Sequence, residues 1–352
     1  MFKRVKSPRM PENLVSNSLT LENPVISVVI VNYNGKEYIQ KCLNSILASN
    51  YRSFEIIIVD NDSTDGSKSI LKKYEGLPMV KVLYLSRNLH YAGGNVVGLH
   101  FAKGKYILFL NNDTIVDSNC LGEIVRTFEK DKKIWAVQPL LLNFNGKDIN
   151  SIGGTIDYIG VLLPVFYLWT QNSVAREEKR LFWGSGAALC IRRDVLNKIG
   201  SFDPEVPTDE VDLCWRINLA GGKVVLAPKA MVYHYGSGAF GKGIKKERVF
   251  FAEISRLNYL LKNYDVKYIL LSFPYMVSYF LMSVGWDIIH YRRGDILLYR
   301  LAGYFYVLKE LRKILQKRLY NQSLRKISDS ELRKLMIKPN PSYYLRPFRM
   351  SM

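Results

Sequence analysis

Three times within about ninety residues, a short apolar run stops abruptly at polar residues. Val25 to Val31 ends in Asn32, Tyr33, Asn34 and Gly35, and is followed by helix-spaced apolar or small positions at Tyr38, Ile39, Cys42, Ile46 and Leu47. Glu55 to Val59 ends in Asp60, Asn61, Asp62, Ser63, Thr64, Asp65 and Gly66, before a helical pattern over Ser67 to Tyr74. Tyr106 to Leu110 stops at Asn111, Asn112 and Asp113. Runs of this length predict buried parallel strands joined by helical crossovers. The expected fold class is α/β, a mostly parallel sheet with helices on both faces. Ligands of such sheets bind beyond the carboxyl ends of the strands, the edge that gathers Tyr33, Asp60, Asp62 and Asp113.

The pattern continues with a strand at Val80 to Leu85, a Gly93-Gly94 bend and a helix from about Asn95. Asp117 to about Val137 reads as a helix and a return to the sheet, and Gln138 to Asn150 as strands around an Asn145-Gly146 hairpin turn. Gly184-Ser185-Gly186 precedes an apolar strand at Ala187 to Ile191. Asp209, Glu210 and Asp212 open a helix through Leu213, Ile217 and Ala220 that stops at Gly221-Gly222. Val224 to Tyr233 is a strand that brings His234 to the same edge.

After Lys246 the period becomes helical. Tyr268 to Trp286 is free of charge over 19 residues, roughly 28 Å as a helix and just enough to span a hydrocarbon core. Lys262 and Lys267 precede it; Arg292, Arg293 and the run from Lys309 to Arg318 follow it. An interfacial or re-entrant hairpin keeps both basic flanks on one side, with Lys309, Arg312, Lys313 and Lys317 toward an anionic surface. The other reading is a soluble helical subdomain or dimer interface. Val161 to Trp169 is too short to span and is expected to line one side of a ligand site.

At 352 residues the chain divides into a basic flexible tail (1–24), an α/β domain (25–246), a helical membrane-associated region (247–320) and a basic C-terminal tail (321–352). From residue 241 onward there are 22 Lys and Arg against 8 Asp and Glu, most of the net charge of +19. No nucleic-acid-binding motif accompanies that charge, whereas long apolar runs do, so anionic lipid rather than nucleic acid is the expected partner. The four cysteines sit in apolar surroundings and read as buried thiols. Residues 1–24 lack the apolar core of a signal peptide.

Several strand-end residues have two readings. Tyr33 is a half-buried aromatic or a stacking platform. Asp60 can accept the imide N–H of uracil or thymine. Asp62 is a ligand contact or a helix cap, while Asp65-Gly66 is turn chemistry. Asp209 and Glu210 suit helix capping as well as proton transfer.

The blocks Val28 to Gly35, Ile58 to Ser67, Arg87 to Leu99, Leu108 to Val116, Gly184 to Pro204 and Asp209 to Trp215 resemble, in order, those of family 2 glycosyltransferases with the GT-A fold, particularly bacterial and archaeal rhamnosyltransferase-like members. The resemblance implies a Rossmann-like GT-A sheet and an inverting, metal-dependent transfer of a sugar from a dTDP or UDP donor to a lipid-linked or cell-surface glycan precursor at the cytoplasmic face of the membrane. It implies donor contacts from Tyr33, Asp60, Asp62, Arg87, Gly94, Asn95 and Asn112. Asn111-Asn112-Asp113 occupies the position of the family's Asp-x-Asp motif, so Asp113, with His234, would hold Mg²⁺ or Mn²⁺ beside the diphosphate. His90 stands where the family has glycine, as if the turn there were less strained. Glu210 matches the catalytic base by position and Asp209 by residue type. The Gly236 to Lys246 loop, with Lys242 and Lys245, would close over the diphosphate. A catalytically silent nucleotide-sugar-binding scaffold is the alternative.

Overall fold

The computed structural model describes residues 23–164, 177–206, 210–236, 246–291 and 294–340. Asp209, Lys242 and Lys245 lie outside them, as do residues 1–22 of the expected N-terminal tail and most of the Val161 to Trp169 run.

The three apolar runs form strands β1 (Ile26–Asn32), β2 (Phe54–Asp60) and β4 (Tyr106–Asn111), with β3 at Val80–Tyr84. All four are parallel, in the order β4-β1-β2-β3. Beyond β4 the sheet departs from the mostly parallel expectation. Strand β11 (Ala188–Arg192) pairs antiparallel with both β4 and β6 (Ile134–Asn143). Strand β12 (Lys223–His234) then runs parallel to β6, flanked by antiparallel β10 (Lys179–Leu181). The sheet is therefore mixed. Periodicity reports whether a run is extended and buried, not which way its neighbour runs.

Helices cover both faces. On one side α1 (Ile39–Leu47), α2 (Ser67–Leu71) and α4 (Cys120–Lys130) pack Cys42, Leu43, Leu71 and Phe128 on Val28, Ile56 and Leu108. On the other, α3 (His90–Phe101), α5 (Arg193–Ile199) and α6 (Glu210–Leu219) enclose Val29, Phe109, Phe202 and Trp215. All four cysteines are buried and free. The Asn145-Gly146 turn joins β6 to β7 (Ile149–Ser151), with Gly146 at φ 68°.

The remaining chain is a layer of helices: α7 (Lys246–Asn263), α8 (Val266–Tyr291), α9 (Ile296–Lys309) and α10 (Leu311–Ser323). Helix α7 joins this layer to the sheet domain through Trp215, whose ring meets Tyr259 at 5.8 Å and Tyr264 at 5.1 Å. Within the expected basic C-terminal tail, residues 324–340 dock on the domain. Leu332 and Met336 are buried in the main core, Lys326 N donates to Leu219 O at 2.8 Å, and Ile337 N donates to Ile156 O at 3.0 Å. Its apolar positions are too few to read as a core element, but each finds a site on the domain surface.

Candidate active site

The tips of β4, β1 and β2 are tied by one chain of side-chain hydrogen bonds. Asn112 Nδ2 donates to Asn32 Oδ1 at 2.8 Å, and Asn32 Nδ2 donates to Asp60 Oδ2 at 3.0 Å. Asp60 Oδ1 accepts from Ser63 N at 3.0 Å. The register places Asn32 opposite Asp60, so the chain follows from strand pairing. Asp60 is fully buried, and only lone pairs left by Asn32 and Ser63 can serve a ligand. Gly35 is obligatory here, because a Cβ would collide with the Asn112 amide. Asn32, which the sequence left as an ordinary loop residue, is the hub. A polar residue closing a buried β-branched strand was the available signal.

Tyr33 projects from this edge, half exposed. Asp62 adopts φ 66° and lies 3.7 Å from Lys68, while Asp65 accepts from Lys36 N at 2.8 Å and Ser67 N at 2.9 Å, a structural turn. Arg87 is exposed in the loop after β3. The helix expected from Asn95 begins five residues earlier, at His90, which takes φ 58°. The turn thus keeps a left-handed residue where glycine would be less strained. It is held by Asn61, which donates to Asn88 Oδ1 at 2.8 Å and His90 O at 3.1 Å and accepts from Leu89 N. Gly94 is consequently inside the helix, where a Cβ would lie 2.7 Å from Val31 Cγ1, and buried Asn95 donates to Tyr91 O. Gly94 thus packs the helix on β1 and forms no bend before it.

Strand β12 pairs antiparallel with the short β5 (Thr114–Val116), setting His234 opposite Thr114. His234 Nε2 thereby reaches 3.3 Å from Asp113 Oδ1, and its Nδ1 lies 3.0 Å from Asn150 Oδ1. Tyr235 N donates to Asp113 O at 3.0 Å. Asp113 is only 7% exposed, so it is not the open-loop residue its polar neighbours suggest. The imidazole thus lies between an amide oxygen and a carboxylate, and which ring nitrogen donates depends on its tautomer. One carboxylate and one imidazole suit Mn²⁺, and Mg²⁺ less well, with diphosphate oxygens and water completing the shell. Among the described residues no group of three or more His, Cys, Asp or Glu converges, and this edge offers two such side chains.

Glu210 is the first described residue of α6, beside the loop that precedes β11. A Cβ on Gly186 would sit 3.3 Å from its carboxyl carbon and 2.9 Å from Tyr91 Oη. Burial pushes the Glu210 carboxyl above the usual glutamate range, against hydrogen bonds from its own and the Gly186 backbone that lower it. Tyr91 Oη donates to Gly186 O at 2.8 Å, so α3 fixes the backbone that meets Glu210. Tyr91 escaped the sequence reading because it fell in the loop expected before a helix from Asn95, whereas the helix begins at His90. The neighbouring Ala187 O accepts from Asn111 N at 2.9 Å, which links the Glu210 side to the Asp113 side. Asp212 points away. It is buried on Arg216 at 2.9 Å, Asn263 at 2.7 Å and Lys262 at 3.2 Å, and despite burial those cations hold its carboxyl below the usual range.

Residues 27–200 match the model of the glycosyl transferase family 2 domain. The chain is 25% identical over 228 residues to the poly-beta-1,6-N-acetyl-D-glucosamine synthase of Staphylococcus epidermidis, covering 65% of this chain and 54% of that protein. It thus spans about half the length of the curated relatives it matches. Among solved structures it is similar to S. aureus TarS 1-349 in complex with UDP-GlcNAc, at TM-score 0.54 and 16% identity, covering 89% of this chain and 93% of that one. It is also similar to GalNAc-T7 with UDP, GalNAc and Mn2+, at TM-score 0.54 and 21% identity, covering 81% and 56%. These two likenesses show the GT-A fold. On that fold, residues 27–200 form a family 2 glycosyltransferase domain.

Proposed function

We propose that this chain transfers a sugar from a nucleotide diphosphate, dTDP- or UDP-linked, to a hydroxyl of a lipid-linked or cell-surface glycan precursor at the cytoplasmic face of a membrane. The observation that carries the reading is the convergence of His234 Nε2 and Asp113 Oδ1 at 3.3 Å on the carboxyl edge of the sheet. Two similar structures contain UDP-GlcNAc, or UDP, GalNAc and Mn²⁺, which supports a nucleotide donor and a divalent metal. Tyr33 would stack on the base, Asp60 and Asn112 would meet base and ribose or sugar, and Arg87 would meet the diphosphate. Asp113 and His234 would hold Mn²⁺ or Mg²⁺, whose charge neutralises the leaving diphosphate.

Glu210 takes the acceptor hydroxyl's proton as the oxygen attacks the anomeric carbon, and the carbon–diphosphate bond breaks on the opposite side. A single displacement inverts the anomeric centre. A raised carboxyl pKa suits that base, since proton transfer is most efficient when the base is poised nearer the working pH. A deoxysugar such as rhamnose is favoured only by analogy with the resembled members. A screen of dTDP- and UDP-sugars, scored by released nucleoside diphosphate with Mn²⁺ and Mg²⁺, tests the reading. Turnover of at least one donor that disappears in Asp113→Asn is expected. Nucleotide binding without turnover of any donor would make the chain a binding scaffold.

A further inference from the structure

Helix α8 contains a 24-residue stretch, Val266–Ile289, long and apolar enough to cross a membrane, and only 6% of its most apolar window is buried. Its inner stripe is nevertheless tethered along its length. Near the start, Arg333 lies over the Tyr268 ring at 4.9 Å and Ser272 Oγ donates to Tyr158 O at 3.1 Å. In the middle, Arg256 lies over the Tyr279 ring at 4.9 Å. Near the end, Asp287 accepts from Arg300 Nε at 2.9 Å, and the same guanidinium donates to Glu253 Oε1 at 2.6 Å. Ser272, Met276, Tyr279 and Asp287 fall at helical spacing, so the tethers share one face.

The distance from Tyr268 to Asp287 is roughly 28 Å along the axis, close to the thickness of a hydrocarbon core. Were α8 to cross the bilayer, the groups along its inner face, Tyr158, Glu253, Arg256 and Arg333 among them, would be drawn into hydrocarbon with it. Charges there cost several kcal/mol each even by lenient scales, ~3 kcal/mol per residue. The outer face tells the complementary story. Leu270, Phe273, Leu281 and Ile289 on α8, Leu298, Phe305 and Leu308 on α9, and Leu315 and Leu319 on α10 are all exposed. Lys267, Lys309 and Arg312 are exposed beside them, a charge pattern that complements lipid phosphates.

We propose that the outer face of α8, α9 and α10 lies in one leaflet of an anionic bilayer with α8 parallel to the surface rather than across it. This deepens the membrane-proximal reading above and rests on it. The surface brings the domain to a membrane-borne acceptor while α7 keeps the sheet edge in water.

The test uses the full-length protein on preformed, sealed vesicles of phosphatidylglycerol and phosphatidylcholine. Lys267→Cys and Gly294→Cys bracket α8; both positions are exposed and Gly294 has open space around it. The four native thiols are buried, so background labelling is low. A membrane-impermeant maleimide added outside should react with both introduced thiols in vesicle-bound protein. Protection of either until detergent opens the vesicles would mean a crossing and overturn the proposal. In parallel, Leu270→Glu with Leu281→Glu should lower the vesicle-bound fraction at least tenfold with unfolding unchanged; unchanged binding would overturn it as well. Failure of the wild-type chain to bind vesicles at low salt, with concentration-dependent self-association, would assign the face to a second copy and also overturn it. UDP binding with Mn²⁺, measured on the same samples, reports the sheet edge separately, so its loss would count against the catalytic reading alone.

Discussion

The sheet edge and the helical layer solve opposite burial problems. At the edge, strands that are mostly apolar end in Asn32, Asp60, Asn112 and Asp113, and the tips at Asn32, Asp60 and Asn112 are cross-linked by hydrogen bonds. In the layer, the charges turn inward: Glu253 holds Arg256 at 2.7 Å and Arg300 at 2.6 Å, and Arg300 holds Asp287, while leucines face out. The first is an arrangement for a polar ligand in water. The second is one for an apolar solvent, where buried charges persist only if paired. The positive charge of the last third therefore misleads when read as a simple lipid-facing stripe. Lys262 is buried on Asp203 and Asp212, and Lys317 is tied to Asp203 at 2.7 Å and to Glu205 at 2.7 Å. Lys313 is 2.7 Å from Glu310. Those cations are engaged within the protein, leaving Lys267, Lys309 and Arg312 for phosphates.

The largest effect that would break this contrast is at Asp113. Asp113→Asn is expected to abolish metal-dependent turnover and weaken nucleotide binding; full activity with Mg²⁺ or Mn²⁺ would remove Asp113 from the site. Because the residue is nearly buried, its fold is checked by thermal unfolding in the same buffer.

Glu210→Gln comes next, with turnover lowered roughly a hundredfold or more and donor affinity little changed, as for a group that acts in the transition state. Asp209→Asn should be milder, and the reverse ranking would move the base. In wild type, the carboxylate form is the active one. Since burial raises the Glu210 pKa, activity should rise with pH through a midpoint above that of an ordinary glutamate. Asp212 has the opposite sign. Its folded pKa is lowered, so its stabilisation is present above the unfolded aspartate pKa and is lost as pH falls through the folded one. Acid unfolding monitored by fluorescence of buried Trp215 should therefore show less loss in Asp212→Asn than in wild type, relative to neutral pH.

In the helical layer, Glu253→Leu leaves Arg256 and Arg300 without their shared carboxylate, a loss of about 3 to 5 kcal/mol for a broken buried pair. Hydrogen exchange should show it in α8 and α9 while UDP binding persists. If protection is lost equally in β1 and β4, the two regions form one cooperative unit and the contrast is thermodynamic fiction.

Tyr91→Phe tests a smaller term at the edge. Losing the bond to Gly186 O costs about 1 kcal/mol, roughly fivefold in turnover, with a shift of the pH midpoint and unchanged donor affinity; a change in stability alone would make Tyr91 a packing residue. High salt should have the smallest effect. It screens Lys309 and Arg312 but not apolar burial, so vesicle release should be partial.

Truncation after Asn263 would not separate the two regions cleanly, because Leu332 and Met336 complete the sheet domain's core and Gln322 and Arg325 donate to Asn263 O. Removing residues 264–352 would open that core along with the membrane surface. Point changes on the outer face are the sharper instrument.

What the sequence determined by itself is what local periodicity and strand-end chemistry can encode: the β1, β2 and β4 runs, their polar tips, the hairpin at Gly146 and the apolar length of α8. Each depends on residues within a few positions of one another. What only the tertiary structure decided depends on partners distant in the chain. The direction of β11, the meeting of His234 with Asp113, the Tyr91–Gly186–Glu210 contact and the docking of residues 324–340 are pairings across tens to hundreds of residues. The same holds for the posture of α8, which its hydropathy leaves open. Its tethers to Arg333, Tyr158, Arg256 and Arg300 lie elsewhere in the chain, and a hydrophobic run carries no record of which of its faces another element will cover.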